Sequence, residues 1–342
     1  MKSLKINKIN KTLGGAIQIT GSKSESNRLL VLQQFYPNLK IENISNSDDS
    51  RLMQKALSSF ENEINIGHAG TAMRFLTSYF SVKENSDIIL TGSHRMKNRP
   101  IKILVDALCN LGAEIEYLEK DGYPPLKIVG KKFDKDFVEI EGNVSSQYIS
   151  SLLLIAPTLK NGLKLKFKGE VTSVPYIKMT LQLLKELGIN YSWENDLITI
   201  EPKPTIKDKT IVVESDWSSA SYYYSLCALS PNSEISLSSY KKASLQGDSV
   251  LSEIYKNLGV ETVFKENSIL LKNTKTLDFR LLSLDLINAP DIAQTIVVSC
   301  FGLGIECYLT GLHTLKIKET DRLVALKNEI EKLGGNVLIT NK

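Results

Sequence analysis

In ALCNLGAEIEYLEKDGYPPLKIV (107–129) an apolar helical pattern ends at Leu111-Gly112, an alternating segment follows, and a polar turn leads into a second alternating segment. Gly directly after the last apolar helical residue supplies a left-handed C-cap, and two alternating runs joined by a polar turn form a hairpin. The pattern recurs as LLKELGINYSWENDLITIE (183–201) and IYKNLGVETVFKENSILLK (254–272), and begins again as IEKLGGNVLIT (330–340). The glycines are Gly112, Gly188, Gly259 and Gly334, at intervals of 76, 71 and 75 residues. A looser relative, MQKALSSFENEINIG (53–67), fits a unit with a shortened hairpin. Helix, Gly and strand follow one another in any α/β protein, but three near-equal spacings with the same hairpin favour a duplicated fold. Repeats of about 75 residues are too long for a solenoid and suit several α/β units grouped into domains.

The fourth full copy predicts a single strand over 336–342, NVLITNK, with no second strand to pair it. Either another segment fills that place or, on the period of the repeat, about 65 to 70 residues of a further unit are expected beyond Lys342. A domain boundary is expected near Glu201 to Glu214, where EPKPTIKDK is rich in Pro and Lys.

The chain has 342 residues, 42% of them hydrophobic, enough for two domains with large cores and against disorder. Its net charge of +4 is too mild to make nucleic acid the main partner. Cys109, Cys227, Cys300 and Cys307 show no C-x-x-C spacing and His68, His94 and His313 lie far apart, so neither a zinc site nor a disulfide framework is expected. That cysteine usage fits a reducing, cytoplasmic setting. The lysine-rich start MKSLKINKINKTLGG lacks the apolar core of a secretory signal. Apolar stretches such as Ile296 to Ile305 are about half the length a membrane span needs. A soluble protein with no membrane partner is expected.

Of 42 basic side chains only seven are Arg; four of these, Arg28, Arg74, Arg95 and Arg99, cluster at Gly/Ser turns, and Arg322 stands at a fifth such junction before a helix. Arg at such places favours carboxylate or phosphate, which its planar fork grips with two hydrogen bonds. ITGSKSESNRLLVL (19–32) places Lys23, Ser24, Asn27 and Arg28 in the first turns of a helix. Cations there oppose the helix dipole unless an anion is bound, so a phosphate site is the natural reading and a solvated basic helix start the plain one. The Gly-Lys-Ser/Thr of a Walker loop is absent. INIGHAGTAMRFLTSYF (64–80) offers Gly67 and Gly70 for close backbone approach and Thr71 as a cap; an ordinary helix cap fits equally. In TGSHRMKNRPIKILVDAL (91–108), Arg95 and Arg99 precede Pro100, a favourable first-turn residue.

GNVSSQYISSLLLIAP (142–157) puts Ser145, Ser146 and Gln147 at the start of an apolar helix, suited to phosphate, to sugar-like hydroxyls or simply to capping. In VTSVPYIKMTLQLLKEL (171–187) Ser173 and Tyr176 flank Pro175 at another helix start. Asp291 in NAPDIAQTIVVSCFGLG (288–304) stands directly before an apolar helix, where capping is the plain role. LKIKETDRLVALKNEIEKLG (315–334) reads as a strand running into a helix, with Lys318, Glu319, Asp321 and Arg322 in one turn, denser than a cap requires. A carboxylate among such cations serves as acid or base once its neighbours tune it.

Together GSKSESNR, GHAGTAMR, RMKNRPI, SSQY, SVPYIK, APDIAQT and IKETDRL, in this order, resemble the 5-enolpyruvylshikimate-3-phosphate synthase family over nearly the whole chain. The resemblance implies an α/β fold of two domains built from repeated inverse α/β units, with the active site in the interdomain cleft. It assigns 14–213 to one domain and 1–13 plus 214–342 to the other, with hinges near 13 and 214. The implied activity is transfer of the enolpyruvyl group of phosphoenolpyruvate to the 5-hydroxyl of shikimate 3-phosphate, releasing phosphate, by a monomer without cofactor or metal. By resemblance Lys23, Ser24, Arg28, Ser145, Ser146, Gln147, Ser173, Tyr176, Asp291, Thr314 and Lys318 hold shikimate 3-phosphate. Lys23, Gly70, Arg95, Gln147 and Arg322 hold phosphoenolpyruvate. Asp291 is the implied base toward the 5-hydroxyl, and Glu319 with Lys23 the implied acid toward the methylene carbon.

The sequence departs from the family pattern at His68 in place of Asn, Phe75 in place of Pro and Thr314 in place of Asn. The family's later D-H-R-M segment and a following Lys are not found. Two other readings stand beside the enzyme: a truncated chain that binds shikimate 3-phosphate without turnover, and the enolpyruvyl transferase acting on UDP-N-acetylglucosamine, whose loop Cys and Lys-Asn motif are not recognisable here.

Overall fold

The computed structural model describes residues 12–172, 174–274, 280–318 and 320–340. The chain divides into two compact units, one of Thr20–Glu214 and one of Met1–Ile19 together with Ser215–Lys342. Strand β1 (Gly14–Ile17) belongs to the latter, here called the second unit, and helix α1 (Lys23–Phe35) and strand β2 (Leu39–Glu42) open the first.

The first unit continues with α2 (Asp48–Leu57), β3 (Glu63–Asn65), α3 (Gly70–Val82), β4 (Asp87–Thr91), α4 (Lys102–Leu111) and the hairpin β5 (Glu114–Tyr117) and β6 (Leu126–Val129). These strands form a sheet of order β3-β4-β6-β5 in which β3 and β4 are parallel and the hairpin adds antiparallel to β4. The next stretch repeats the plan: β7 (Phe137–Glu141), α5 (Ser146–Ile155), β8 (Leu163–Lys168), α6 (Val174–Glu186), β9 (Tyr191–Glu194) and β10 (Leu197–Ile200). Its sheet order is β7-β8-β10-β9, with the same parallel and antiparallel pairings. Strand β11 (Lys209–Val212) pairs in parallel with β2.

The second unit adds α7 (Trp217–Leu229), β12 (Glu234–Ser238), α8 (Leu251–Asn257), β13 (Val260–Phe264) and β14 (Ser268–Asn273), in a sheet of order β1-β12-β14-β13. It continues with β15 (Leu281–Asp285), α9 (Ala293–Leu303), β16 (Glu306–Thr310) and α10 (Arg322–Lys332), β15 and β16 being parallel. Three sheets therefore share one order. In the sheet of β1 the parallel partner comes from far along the chain: β1 leads through α1 to β2, and β11 leads through α7 to β12, so the two crossovers exchange their second strands.

The repeat read from the sequence is this unit. Gly112 (φ 118°) and Gly188 (φ 75°) end α4 and α6 in the left-handed region, where a side chain is strained, and the chain then turns into each hairpin. Gly259 and Gly334 share that conformation. The fourth hairpin does not follow: residues 335–340 form no strand, contrary to the expectation for 336–342, of which 341 and 342 lie outside the described residues. A strand needs a ladder, and among the described residues nothing pairs with this segment, whereas β5, β9 and β13 are each held by the strand that follows.

The helix between the two parallel strands is the most deeply placed. All of α3 but its last residue is buried, and its hydroxyls are satisfied locally: Thr77 Oγ1 donates to the Met73 carbonyl (2.7 Å), Ser81 to that of Thr77 (2.6 Å) and Ser78 to Ser151 Oγ on α5 (2.9 Å). In the second unit Trp217, Tyr224, Tyr240 and Tyr255 are fully buried. Their phenols find partners at Thr262 Oγ1, the Asp216 carbonyl and Ser299 Oγ, as buried aromatic polar groups require. No helix among the described residues is long and apolar enough to cross a membrane.

Candidate functional site

Within the first unit three crossover helices present their N-termini with the residues singled out in the sequence. Helix α1 starts at Lys23 after Ser22, whose side chain makes no capping bond, while the Ser22 N–H is taken by the Glu214 carbonyl at 2.8 Å. Lys23 and Ser24 are half-buried, and the Lys23 ammonium has no hydrogen-bond or ion-pair partner among the described residues. A partly desolvated cation at the positive end of a helix calls for an anion.

Arg28, on the same helix, is held by the protein itself. It is 2% exposed, and its guanidinium donates to Thr180 Oγ1 (2.7 Å), the Ser24 carbonyl (2.7 Å), Ser150 Oγ (2.9 Å) and the Tyr176 carbonyl (3.3 Å). Burial lowers its pKa to about 10. Arg28 thus ties the starts of α1 and α6 together from beneath. Tyr176 is half-buried, and Ser173 lies outside the described residues.

At α3 the first helical residue is Gly70, and Thr71 does not cap: it lies inside the helix and accepts from Gln147 Nε2 at 3.2 Å. That bond joins the start of α3 to the start of α5, where Ser145 is the cap and accepts from the Gln147 N–H (3.4 Å), with Ser146 buried and Gln147 half-buried. Arg74 is buried and donates to the carbonyls of Gly70 and Pro100, both at 3.1 Å; burial, then the nearby Arg99 charge, lower its pKa to about 10. Pro100 is not in the first turn of a helix, since α4 begins at Lys102; its carbonyl instead accepts from Arg74 and from the Tyr148 hydroxyl (2.6 Å).

The guanidinium of Arg99 covers Gly70 so closely that a Cβ there would stand 2.3 Å from its Nη1. No hydrogen-bond or acidic partner holds that guanidinium among the described residues. Arg99 is one of the clustered arginines but not among the substrate residues that the family resemblance implies, and it is the fold of 92–99 that brings it over α3. Arg95, implied by the resemblance to hold phosphoenolpyruvate, is exposed at the start of a short 3-10 turn, Met96–Asn98.

In the second unit Asp291 does not cap α9. It sits in the 3-10 turn Pro290–Ile292, and its Oδ1 accepts from Arg322 Nη1 at 2.9 Å and is 3.3 Å from Lys318 Nζ. The segment read as a strand at 315–318 is a 3-10 turn, His313–Ile317, after which Asp321 caps α10 by accepting from the N–H groups of Leu323 (3.0 Å) and Val324 (3.2 Å). Leu315 is buried and its N–H goes to the Leu312 carbonyl (3.0 Å), a closed turn in place of a ladder. Thr314 Oγ1 is buried with no partner among the described residues. Glu319 lies outside them. Asp291, Lys318 and Arg322 are each about a quarter to a third exposed, so a carboxylate between two cations faces solvent.

Chemically, the first unit offers N–H groups, hydroxyls and unpaired cations suited to phosphate and carboxylate, and the second a carboxylate positioned by two cations for proton transfer. Among the described residues no group of three or more His, Cys, Asp or Glu side chains could hold a metal ion.

A family model described as EPSP synthase (3-phosphoshikimate 1-carboxyvinyltransferase) matches residues 59–342. The 3-phosphoshikimate 1-carboxyvinyltransferase of Bacteroides fragilis (strain ATCC 25285) is 48% identical over 320 residues, covering 93% of this chain and 77% of that protein. That of Histophilus somni (strain 2336) is 34% identical over 369 residues, covering 98% and 84%. A structure of EPSP synthase from Acinetobacter baumannii aligns with a TM-score of 0.74 over 93% of this chain and 78% of that one, at 18% identity, a likeness of fold.

Proposed function

Because the chain belongs to the EPSP synthase (3-phosphoshikimate 1-carboxyvinyltransferase) family, we propose that its residues carry the family reaction in the following roles. The enolpyruvyl group of phosphoenolpyruvate passes to the 5-hydroxyl of shikimate 3-phosphate and phosphate leaves, a step of the shikimate pathway toward chorismate. Two phosphates and two carboxylates must be held, and side-chain cations with helix N–H groups do this without a metal.

Shikimate 3-phosphate is assigned to Lys23, Ser24, Ser145, Ser146, Gln147, Ser173 and Tyr176, and to Asp291, Thr314 and Lys318. Arg28 contributes by fixing Ser24 and Tyr176 through their carbonyls. Phosphoenolpyruvate is assigned to Lys23, Gly70, Arg95, Gln147 and Arg322, with Arg99 added because its unpaired guanidinium stands on Gly70. In this reading the two compact units are the family's two domains, the protein acts as a cytoplasmic monomer, and chain segments near 13 and 214 are its hinges.

In the chemical step Asp291 takes the proton of the 5-hydroxyl as its oxygen bonds to C2 of phosphoenolpyruvate. Glu319, aided by Lys23, delivers a proton to C3, giving a tetrahedral adduct. Loss of a proton from the new methyl group then restores the double bond as phosphate departs from C2, and the proton roles reverse. The observation that carries the reading is the Asp291 carboxylate held by Lys318 and Arg322. The test is release of phosphate from phosphoenolpyruvate dependent on shikimate 3-phosphate, with calorimetric binding of each substrate. Turnover supports the enzyme, binding of shikimate 3-phosphate without turnover supports a silent binder, and no binding contradicts both.

A further inference from the structure

The helices that carry the assigned residues of the first unit are tied together one layer below their starts. Arg28 on α1, Ser150 on α5 and Thr180 on α6 are buried, each one to two turns in from the first residue of its helix. Arg28 joins them: Nε donates to Thr180 Oγ1 (2.7 Å), Nη2 to Ser150 Oγ (2.9 Å) and the Tyr176 carbonyl (3.3 Å), and Nη1 to the Ser24 carbonyl (2.7 Å). The N–H bonds of a guanidinium lie in its plane, so these contacts leave its faces uncovered. Phe75 of α3 takes one face, with its ring centroid 5.4 Å from the Arg28 Cζ. Phe75 is 1% exposed and lies one to two turns in from Gly70, the first residue of α3. It is also a position at which the sequence departs from the family pattern.

We propose that Phe75 is a positioning residue: its ring, laid on the Arg28 guanidinium, fixes the start of α3 against the starts of α1, α5 and α6. It thereby sets the phosphoenolpyruvate groups in place relative to those of shikimate 3-phosphate. The inference rests on the assignment above, in which α1, α5 and α6 carry shikimate 3-phosphate residues and α3 carries Gly70. The four acceptors of Arg28 are neutral, and no carboxylate pairs with it among the described residues. A buried cation so placed is costly to desolvate. The π face of an aromatic ring is the negative part of its quadrupole and attracts a cation most strongly where water is excluded. Helix α3 is bonded to α5 from Gln147 Nε2 to Thr71 Oγ1 (3.2 Å) and from Ser78 to Ser151 Oγ (2.9 Å). The ring gives α3 the matching tie to α1.

A side chain that only fills space could be replaced by any ring of the same shape, so the test varies the charge on the ring face. In the full chain Phe75 is replaced by 4-fluoro-, 3,5-difluoro- and pentafluorophenylalanine, with Arg28 present and in an Arg28→Met background. Fluorine draws electron density from the face while adding apolar surface, so burial alone would hold or raise the thermal midpoint. The proposal expects the midpoint to fall stepwise with fluorine number. The KM for phosphoenolpyruvate should rise in parallel, by about 10-fold for the pentafluoro ring, and the KM for shikimate 3-phosphate should rise less. Both trends should vanish in Arg28→Met; if that variant does not fold, the series with Arg28 present decides alone. Level midpoints overturn the proposal. Falling midpoints with level KM values, or with both KM values rising equally, overturn the positioning role. Absence of turnover in the wild type would contradict the functional reading alone, since the midpoints still read the contact between ring and guanidinium.

Discussion

Arg322 and Asp291 stand 31 residues apart in the sequence and are joined by a hydrogen bond of 2.9 Å from the guanidinium to Oδ1. The same oxygen has Lys318 Nζ at 3.3 Å. The carboxylate is oriented by two cations and stays about a quarter exposed, an arrangement open to a general base. Asp291→Asn keeps the shape and removes the base. It should lower kcat by about 100-fold or more while shikimate 3-phosphate still binds, as measured by phosphate release and calorimetry. Near-normal turnover would remove Asp291 from the role.

Lys23 and Arg28, five residues apart on α1, should respond oppositely to truncation. Lys23 has no partner among the described residues, so Lys23→Ala should weaken substrate binding by about 10-fold or more through a lost charge-assisted contact and leave the urea midpoint unchanged. Arg28→Ala removes four hydrogen bonds from a buried place and leaves a cavity there, and should cost about 3 kcal/mol of stability. Equal unfolding curves for the two variants would contradict this division.

At Gly70 the added Cβ of Gly70→Ala would stand 2.3 Å from Arg99 Nη1. The end of a flexible side chain can move aside, so the fold should survive with a thermal midpoint near that of the wild type. The displaced guanidinium should raise the KM for phosphoenolpyruvate more than that for shikimate 3-phosphate. Equal effects on both would show that Arg99 has no special tie to phosphoenolpyruvate.

Asp248, buried in the second unit, predicts the pH dependence of stability. Its carboxyl is raised from the ordinary 3.8 to about 7 in the folded state, mainly by burial. Between those values the folded chain holds a proton that the unfolded chain has released, so the contribution of this group to stability falls as pH rises through the window and levels off above it. Urea midpoints of Asp248→Asn should be flatter across that window than those of the wild type. Parallel curves would show that the carboxyl is not raised.

The hairpins were legible because their determinants are local: a glycine at the end of an apolar helix and two alternating runs beside it. The segment 336–340 alternates equally well, but a strand exists only with a ladder partner, which a local pattern cannot supply. LKIK at 315–318 failed for the same reason, closing into a turn through Leu312 and Leu315. The hydrogen-bond partners of Arg28 were not legible, because Ser150 and Thr180 lie 122 and 152 residues away. Asp291 was legible as a position and not as a geometry, since the pairing with Arg322 depends on how a 3-10 turn meets α10. Asp248 carried no signal in the sequence; its burial comes from the way Gln246 folds back on α7.

The most direct test of the central claim is 31P NMR of the purified chain with phosphoenolpyruvate and shikimate 3-phosphate. The account predicts that the phosphoenolpyruvate signal is replaced mole for mole by inorganic phosphate, that the sugar phosphate signal shifts to that of the enolpyruvyl product, and that neither change occurs when shikimate 3-phosphate is left out. Phosphate released at the same rate without shikimate 3-phosphate, or no conversion with both substrates bound, would contradict it.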